Sequence, residues 1–165
     1  MPDTLTEEQA IQTLDIRQEK LIDAPIEIVF QSLLDELGPE SEFPPGQSLN
    51  LKLEAWPGGR WFRDLGNKAG HLWGHVQVIK PPALLEICGP MAMSYPAINH
   101  IQYRLKSEGG RTRLSLWHRA IGQIPQEHRD GMPEGWTMWL KAIRELAERK
   151  AGGSSTRAGR KEVSR

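Results

Sequence analysis

The sequence predicts an α+β fold, a single domain in which a long C-terminal helix lies across an antiparallel sheet. Apolar residues near the C-terminus recur every three or four positions, which is the pattern of one buried helix face. Before them come short segments of alternating apolar and polar residues, separated by turn residues, as is typical of strands. A helix face of this size is stable only against another element, so we expect it to cover the sheet. The stripe consists of Met132, Trp136, Trp139, Leu140, Ile143 and Leu146.

The first predicted elements are a strand and a helix. Residues 14–22 alternate between apolar and polar side chains, which indicates a strand with one buried face. Pro25 stands where the first helical position is expected, and proline is favoured there because its missing N–H needs no partner. Apolar residues at helical spacing then predict a helix over residues 26–37. Residues 38–48 contain three prolines and two glycines, so we expect a connecting loop.

Six more strands are expected before the final helix, arranged as hairpins. Segments near residues 49–54 and 60–63 flank Pro57-Gly58-Gly59, which is a turn signal between two strands. Two further strands are expected near residues 71–79 and 84–88. Pro81-Pro82 lies between them and forces a turn, because neither proline can donate to a strand ladder.

The last predicted hairpin has a register that can be derived from its apolar faces. Ile101, Tyr103 and Leu105 share one face of their strand, and Leu114 and Leu116 share one face of the next. A two-residue turn at Glu108-Gly109 keeps all of them on the core side and also turns His118 inward. The expected opposite pairs are Leu105 with Thr112, Tyr103 with Leu114, Ile101 with Leu116 and Asn99 with His118.

Charge and composition exclude several classes of partner. Lys plus Arg and Asp plus Glu are 21 each, so the formal net charge is zero. No overall positive field attracts nucleic acid, and we expect no nucleic-acid partner. The last residues are basic and rich in Gly and Ser, so residues 150–165 are predicted to be a disordered basic tail. Residues 1–13 are predicted to be an N-terminal extension.

Cysteine usage and hydropathy point to the cytoplasm. Cys88 is the single cysteine, so no intrachain disulfide forms, which fits a reducing compartment. No apolar run is long enough to span a bilayer, and the N-terminus lacks a secretory signal pattern. We therefore expect a cytoplasmic protein without integral membrane association.

Neither a metal nor a cofactor is expected. His71 and His75 would face the same side of a regular strand, but their Cα atoms would lie roughly 13 Å apart, too far to share one tetrahedral ion. The sequence contains neither a phosphate loop nor a dinucleotide-binding fingerprint.

Five motifs in a fixed order carry a family resemblance. They are Asp23-Ala24-Pro25 with Val29-Phe30, Pro57-Gly58-Gly59-Arg60-Trp61, Gly74-His75-Val76 leading to Pro81-Pro82, Gly110-Arg111-Thr112-Arg113-Leu114, and Gly131-Met132 with Gly135-Trp136. The chain resembles the START-like (SRPBCC) superfamily, and more narrowly the branch named for activators of the heat-shock chaperone ATPase. The resemblance covers about residues 14–149 and implies a START-like ligand-binding domain. The fold it implies is a helix-grip fold, a seven-stranded antiparallel sheet curved around the C-terminal helix with an elongated cavity between them.

The candidate ligand-binding site is that cavity. Tyr103 and His118 are expected to point inward, and a buried polar group needs a partner that either the core or a ligand can supply. Met91-Ala92-Met93 is either a lip at the cavity mouth or ordinary loop packing. The candidate binding residues are Trp61, Asn99, Ile101, Tyr103, Leu114, Leu116, His118, Trp136, Trp139 and Leu140.

Three functions are compatible with the sequence. The first is binding of a small hydrophobic or aromatic molecule, such as a lipid or polyketide, with affinity supplied by apolar burial. The second is a cyclase or dehydratase of the kind found in relatives, with His118 moving a proton and Asp130 or Glu134 as its partner. The third is co-activation of a chaperone ATPase, which only the branch name suggests. No catalytic set is identified from the sequence.

Overall fold

The computed structural model describes residues 10–160, with side chains as far as Gly153. Seven strands and two helices follow one another in the predicted order. The elements are β1 (Gln12–Ile22), α1 (Ile26–Glu36), β2 (Leu51–Leu53), β3 (Arg60–Gly66), β4 (Ala69–Lys80), β5 (Leu84–Gly89), β6 (Ala97–Glu108), β7 (Arg111–Gly122) and α2 (Gln126–Arg160).

All seven strands form one antiparallel sheet in the order β1-β7-β6-β5-β4-β3-β2. Strands β2 to β7 are joined as successive hairpins, and β1 closes the sheet by pairing with β7. This confirms the predicted fold class, a seven-stranded antiparallel sheet with a long C-terminal helix. The inner face of the sheet and the inner stripe of α2 form one core, which Trp136, Leu140, Ile143 and Ala147 enter from the helix.

Helix α2 packs mainly against α1 and the edge strand β1. The Gln18 side-chain amide of β1 donates to the Pro133 carbonyl over 2.8 Å. The backbone N–H of Asp23 donates to the Glu148 carboxylate over 3.1 Å, and Lys150 forms an ion pair with Asp35 of α1. These polar contacts hold the helix along one side of the sheet, and side chains must therefore fill the distance from α2 to the central strands.

The ends of the described chain differ from the predicted boundaries. Strand β1 begins at Gln12, two residues before the expected domain start, and α2 continues to Arg160, through most of the segment expected to be a disordered tail. The rest of the predicted N-terminal extension and residues 161–165 lie outside the described residues. Within residues 10–160, no helix is both long and apolar enough to cross a membrane.

The predicted register of the last hairpin is wrong by two residues. Its turn consists of Gly109 and Gly110, with φ of 58° and 83°, and not of Glu108 and Gly109. A two-residue turn with positive φ at both positions suits two glycines, whereas a glutamate would be strained there. Because the shift is even, every side chain stays on its predicted face. The observed pairs are Leu105 with Leu114, Tyr103 with Leu116, Ile101 with His118 and Asn99 with Ala120.

Replacing glycine by alanine should have opposite effects on stability in this turn and in helix α2. A Cβ at Gly110 would meet no atom within 4 Å, so Gly110→Ala adds only backbone strain and should lower the free energy of unfolding by about 1 kcal/mol. Gly131 is helical and exposed, with equal space for a Cβ, so Gly131→Ala should raise it by about 0.5–1 kcal/mol. Urea unfolding measures both, and changes of the same sign would contradict this account of the turn.

Candidate functional site

Five aromatic side chains lie between the inner face of the sheet and helix α2. Trp136 stacks on Trp139, with ring centroids 5.5 Å apart. Trp139 in turn contacts Trp61 and Trp73 edge-on or tilted, at 6.0 and 6.5 Å, and Trp136 contacts Tyr103 at 6.3 Å. We call these five residues the aromatic cluster. It spans the gap between α2 and the central strands, and its edge-to-face and offset contacts are the favourable geometries for aromatic pairs.

Two indoles of the aromatic cluster cap helix α1. The last carbonyls of a helix have no partner within the helix, and burying them unpaired is costly. Trp61 Nε1 donates to the Leu37 carbonyl over 2.7 Å, and Trp139 Nε1 donates to the Glu36 carbonyl over 3.0 Å. Strand β3, helix α1 and helix α2 are therefore joined at one point, which fixes the orientation of both indoles.

His118 joins the sheet to α2 through a chain of buried hydrogen bonds. Trp136 Nε1 donates to His118 Nδ1 over 2.9 Å, and His118 Nε2 lies 2.7 Å from Asn99 Oδ1. The Asn99 amide then donates to the Gly89 carbonyl over 3.2 Å. His118 and Asn99 are fully buried. The chain therefore links the ends of β5, β6 and β7 to the helix.

The hydrogen bonds of His118 determine its protonation state. An indole N–H can only donate, so Nδ1 of His118 must accept, and the ring proton must reside on Nε2 and be donated to Asn99. Protonating Nδ1 would place two donors against each other. Burial also lowers the pKa of the His118 imidazole to about 4. His118 is thus a neutral, fully hydrogen-bonded core residue.

The ten predicted site residues come together, but their side chains fill the space between them. Nine are at most 2% exposed, and only Trp139 is half-buried. The centre of the predicted cavity is therefore occupied by the rings of the aromatic cluster, because α2 carries two indoles where smaller residues would leave space. The cavity itself stays a prediction, and a ligand could enter this place only if one of these rings moved.

Two concavities of the described structure lie elsewhere. One, of about 170 Å³, lies on the outer face of the sheet beside Arg17 and Trp117. The other, of about 510 Å³, lies beside the edge strand β2, near Pro39 and Asp64. Neither is lined by any of the ten predicted residues except Leu116, which contributes to the first.

The loop between β5 and β6 lies over the Asn99 end of the interior. Met91 and Met93 are buried, and the Asn99 amide lies 3.5 Å from the Met93 sulfur. The Tyr95 hydroxyl lies 2.7 Å from Nδ1 of His128 near the start of α2. Both methionines therefore pack as core residues, while Tyr95 connects the loop to the helix.

Trp73 belongs to the aromatic cluster, although the sequence analysis did not select it. The β3–β4 pairing shifts register next to Trp73. Residues three positions apart in a regular strand face opposite sides, but Trp73 and Val76 are both buried. A bulge therefore lies between them. The same bulge separates His71 from His75: His71 lies beside the Trp73 ring at 6.5 Å, whereas His75 is exposed. The expectation that the two histidines face the same side is wrong. Gly74 was the available signal, since glycine inside a strand often marks a bulge.

Neither a metal site nor a catalytic pair is assembled around these residues. Within the described part of the chain, no three His, Cys, Asp or Glu side chains are placed to hold a metal ion. Asp130 and Glu134 are exposed on α2, while both ring nitrogens of His118 are occupied by Asn99 and Trp136. The acid–base partnership expected for an enzyme is therefore not formed with these residues.

Comparison of the sequence with models of protein families identifies the family of this chain. Residues 23–148 match the family model described as Activator of Hsp90 ATPase homolog 1-like protein. The chain belongs to this family. Comparison with curated proteins finds no match.

Solved structures share the fold of this family member at low sequence identity. An uncharacterized protein from Rhizobium leguminosarum is similar with a TM-score of 0.67 and 18% identity, covering 85% of this chain and 97% of that one. CalU16 from Micromonospora echinospora has a TM-score of 0.56 and 21% identity, with 92% and 95% covered. DynU16, a protein in the dynemicin biosynthetic locus, has a TM-score of 0.58 and 16% identity, with 81% and 47% covered.

The neutral state of His118 should make the stability of this family member depend on pH. Its folded pKa of about 4 lies below the unfolded value of 6.5, so the unfolded state binds more protons between these values. The stabilising effect is complete above pH 6.5 and is lost as the pH falls towards 4, by about 3 kcal/mol.

Glu36 opposes this dependence and must be removed to reveal it. Burial and the neighbouring Glu40 raise the pKa of the Glu36 carboxyl to about 7, so its contribution is present below pH 4.5 and is lost as the pH rises through 7. Denaturant unfolding of Glu36→Gln between pH 4 and 7 should show stability rising with pH. The double variant with His118→Gln should lose that slope, and equal slopes in the two proteins would contradict a buried neutral imidazole.

Proposed function

We propose that the protein binds a small hydrophobic or aromatic molecule between helix α2 and the inner face of the sheet. The observation that carries the proposal is the Tyr103 hydroxyl. It is buried beside Trp136 within the aromatic cluster and has no hydrogen-bond partner among the described residues. Buried polar groups in proteins nearly always have a partner, and one without a partner calls for an explanation. A ligand that reaches the aromatic cluster would supply it.

The packing of the aromatic cluster suggests how such a molecule is admitted. Trp139 is the half-buried member, and a single hydrogen bond, to the Glu36 carbonyl, holds its indole nitrogen. Turning this indole outward would free a space of aromatic shape next to Trp136 and Trp61. The bound molecule would then replace ring contacts of the same kind, so the cost of displacing the indole is partly recovered.

Binding is favoured over proton-transfer catalysis by the state of His118. A general base should have a pKa near the working pH and a free lone pair directed at its substrate. The pKa of the His118 imidazole is lowered to about 4, and its Nδ1 lone pair accepts from Trp136. A cyclase or dehydratase mechanism through His118 would first have to break that hydrogen bond.

The family resemblance and the related structures are compatible with this proposal without specifying the ligand. One related structure, DynU16, is a protein in the dynemicin biosynthetic locus. Because the sequence identities are low, these structures indicate a shared fold, and the ligand must be inferred from the chain's own residues.

Binding can be tested with 1-aminoanthracene, whose fluorescence increases in apolar surroundings. We expect saturable binding of one molecule per chain to the unmodified protein. Trp139→Ala should tighten binding by about tenfold, because the probe no longer displaces the indole and an apolar space of ring size accepts aromatic molecules.

The matched control is Trp56→Ala, because Trp56 is an exposed indole that does not belong to the aromatic cluster. It should leave the dissociation constant unchanged. Absence of saturable binding to the unmodified protein, or equal effects of the two substitutions, would reject the proposed site.

A further inference from the structure

The aromatic cluster contains two buried hydrogen-bond donors that have no partner among the described residues. Three of its four indole N–H groups are paired, those of Trp61, Trp136 and Trp139. Trp73 Nε1 and the Tyr103 hydroxyl are buried, and neither has a partner in the part of the chain that the structure describes. Within one set of packed rings, therefore, some polar groups are satisfied by protein atoms and two are not.

The two unused donors lie at opposite ends of a row of rings. Tyr103 contacts Trp136, Trp136 stacks on Trp139, and Trp139 contacts Trp73, at centroid distances of 6.3, 5.5 and 6.5 Å. Trp139 occupies the row between Trp136 and Trp73, and it is the ring that the proposed function displaces. A planar molecule in its place would stack on Trp136, the ring that Tyr103 contacts, and would contact Trp73 on its other side.

The chemistry of these two groups restricts what they can bind. An indole N–H can only donate. Burial raises the pKa of the Tyr103 phenol well above its usual value, so this hydroxyl keeps its proton and can donate as well. The Trp73 N–H therefore requires a hydrogen-bond acceptor on the bound molecule, and an acceptor is also the group that would pair the Tyr103 O–H.

The charge of the surroundings restricts the ligand further. Two titratable side chains contact the aromatic cluster. His118 beside Trp136 is neutral and uses both ring nitrogens, and the half-buried His71 lies beside Trp73 at the other end. A carboxylate buried against Trp136 would lack a cation to pair with there, and burying an unpaired charge is costly. The ring faces would attract a cation, but the Trp73 N–H has no lone pair to offer it and would stay unpaired.

We infer, on the basis of the proposed function, that the ligand is a neutral planar aromatic molecule carrying hydrogen-bond acceptors, such as carbonyl oxygens, on opposite edges. Trp73 and Tyr103 then act as specificity-determining residues at its two ends. An aromatic hydrocarbon of the same shape would leave both donors buried and unpaired, and it should bind more weakly for that reason.

Anthracene and 9,10-anthraquinone form a matched pair of probes for this inference. They have the same three-ring frame, and only the quinone carries acceptors, one on each long edge. Calorimetric titration of the unmodified protein should show anthraquinone binding about tenfold or more tighter than anthracene. Tyr103→Phe and Trp73→Phe should each reduce this preference, because each removes one donor, and the quantity compared is the ratio of the two affinities within each variant. Near-UV circular dichroism checks that each variant is folded, and either variant alone can test its own end of the row.

The possible outcomes separate this inference from the proposed function. Equal affinities for the two probes in the unmodified protein would overturn the acceptor requirement and leave the binding site intact. A preference that survives both substitutions would also overturn it, since the donors would then not be Trp73 and Tyr103. Failure of both probes to bind saturably would reject the proposed function itself.

Discussion

The hydrogen bond between Trp136 and His118 is the contact on which the rest of the interior depends. It connects the long helix to the centre of the sheet, and it positions the indole on which Trp139 stacks. Because His118 must accept at Nδ1, it must donate at Nε2, which explains why Asn99 lies beside it as an acceptor. If one member of this chain were replaced by an apolar residue, its neighbour would be left buried and unpaired, at a cost of about 1–3 kcal/mol.

This constraint also shapes the chemistry available to the protein. Both ring nitrogens of His118 are hydrogen-bonded within the core, so this histidine is not free to act as an acid or base. Within the aromatic cluster, the polar groups without a hydrogen-bond partner among the described residues are the Tyr103 hydroxyl and the Trp73 indole N–H. In the proposed function, these two groups are the ones that a ligand would pair.

Sequence patterns could predict the layers and the facing of the strands, because side-chain alternation follows directly from burial. They predicted His118 and Tyr103 as inward residues correctly, although the turn was placed one residue early, since an even register error preserves the face. They missed Trp73, because a bulge beside Gly74 interrupts the alternation and only the neighbouring strand reveals it. The filled interior could not be predicted either, since the positions of two indoles on α2 depend on side-chain orientations and on the carbonyls that end α1.

The central claim, a neutral imidazole that bridges Asn99 and Trp136, can be measured most directly by ¹⁵N nuclear magnetic resonance of histidine-labelled protein. At pH 5, below the usual pKa of a histidine side chain, His118 should still show the neutral tautomer with its proton on Nε2, and its Nε2 proton should exchange slowly with solvent. An imidazolium signal at that pH, or a proton on Nδ1, would contradict the hydrogen-bond chain and the aromatic arrangement that depends on it.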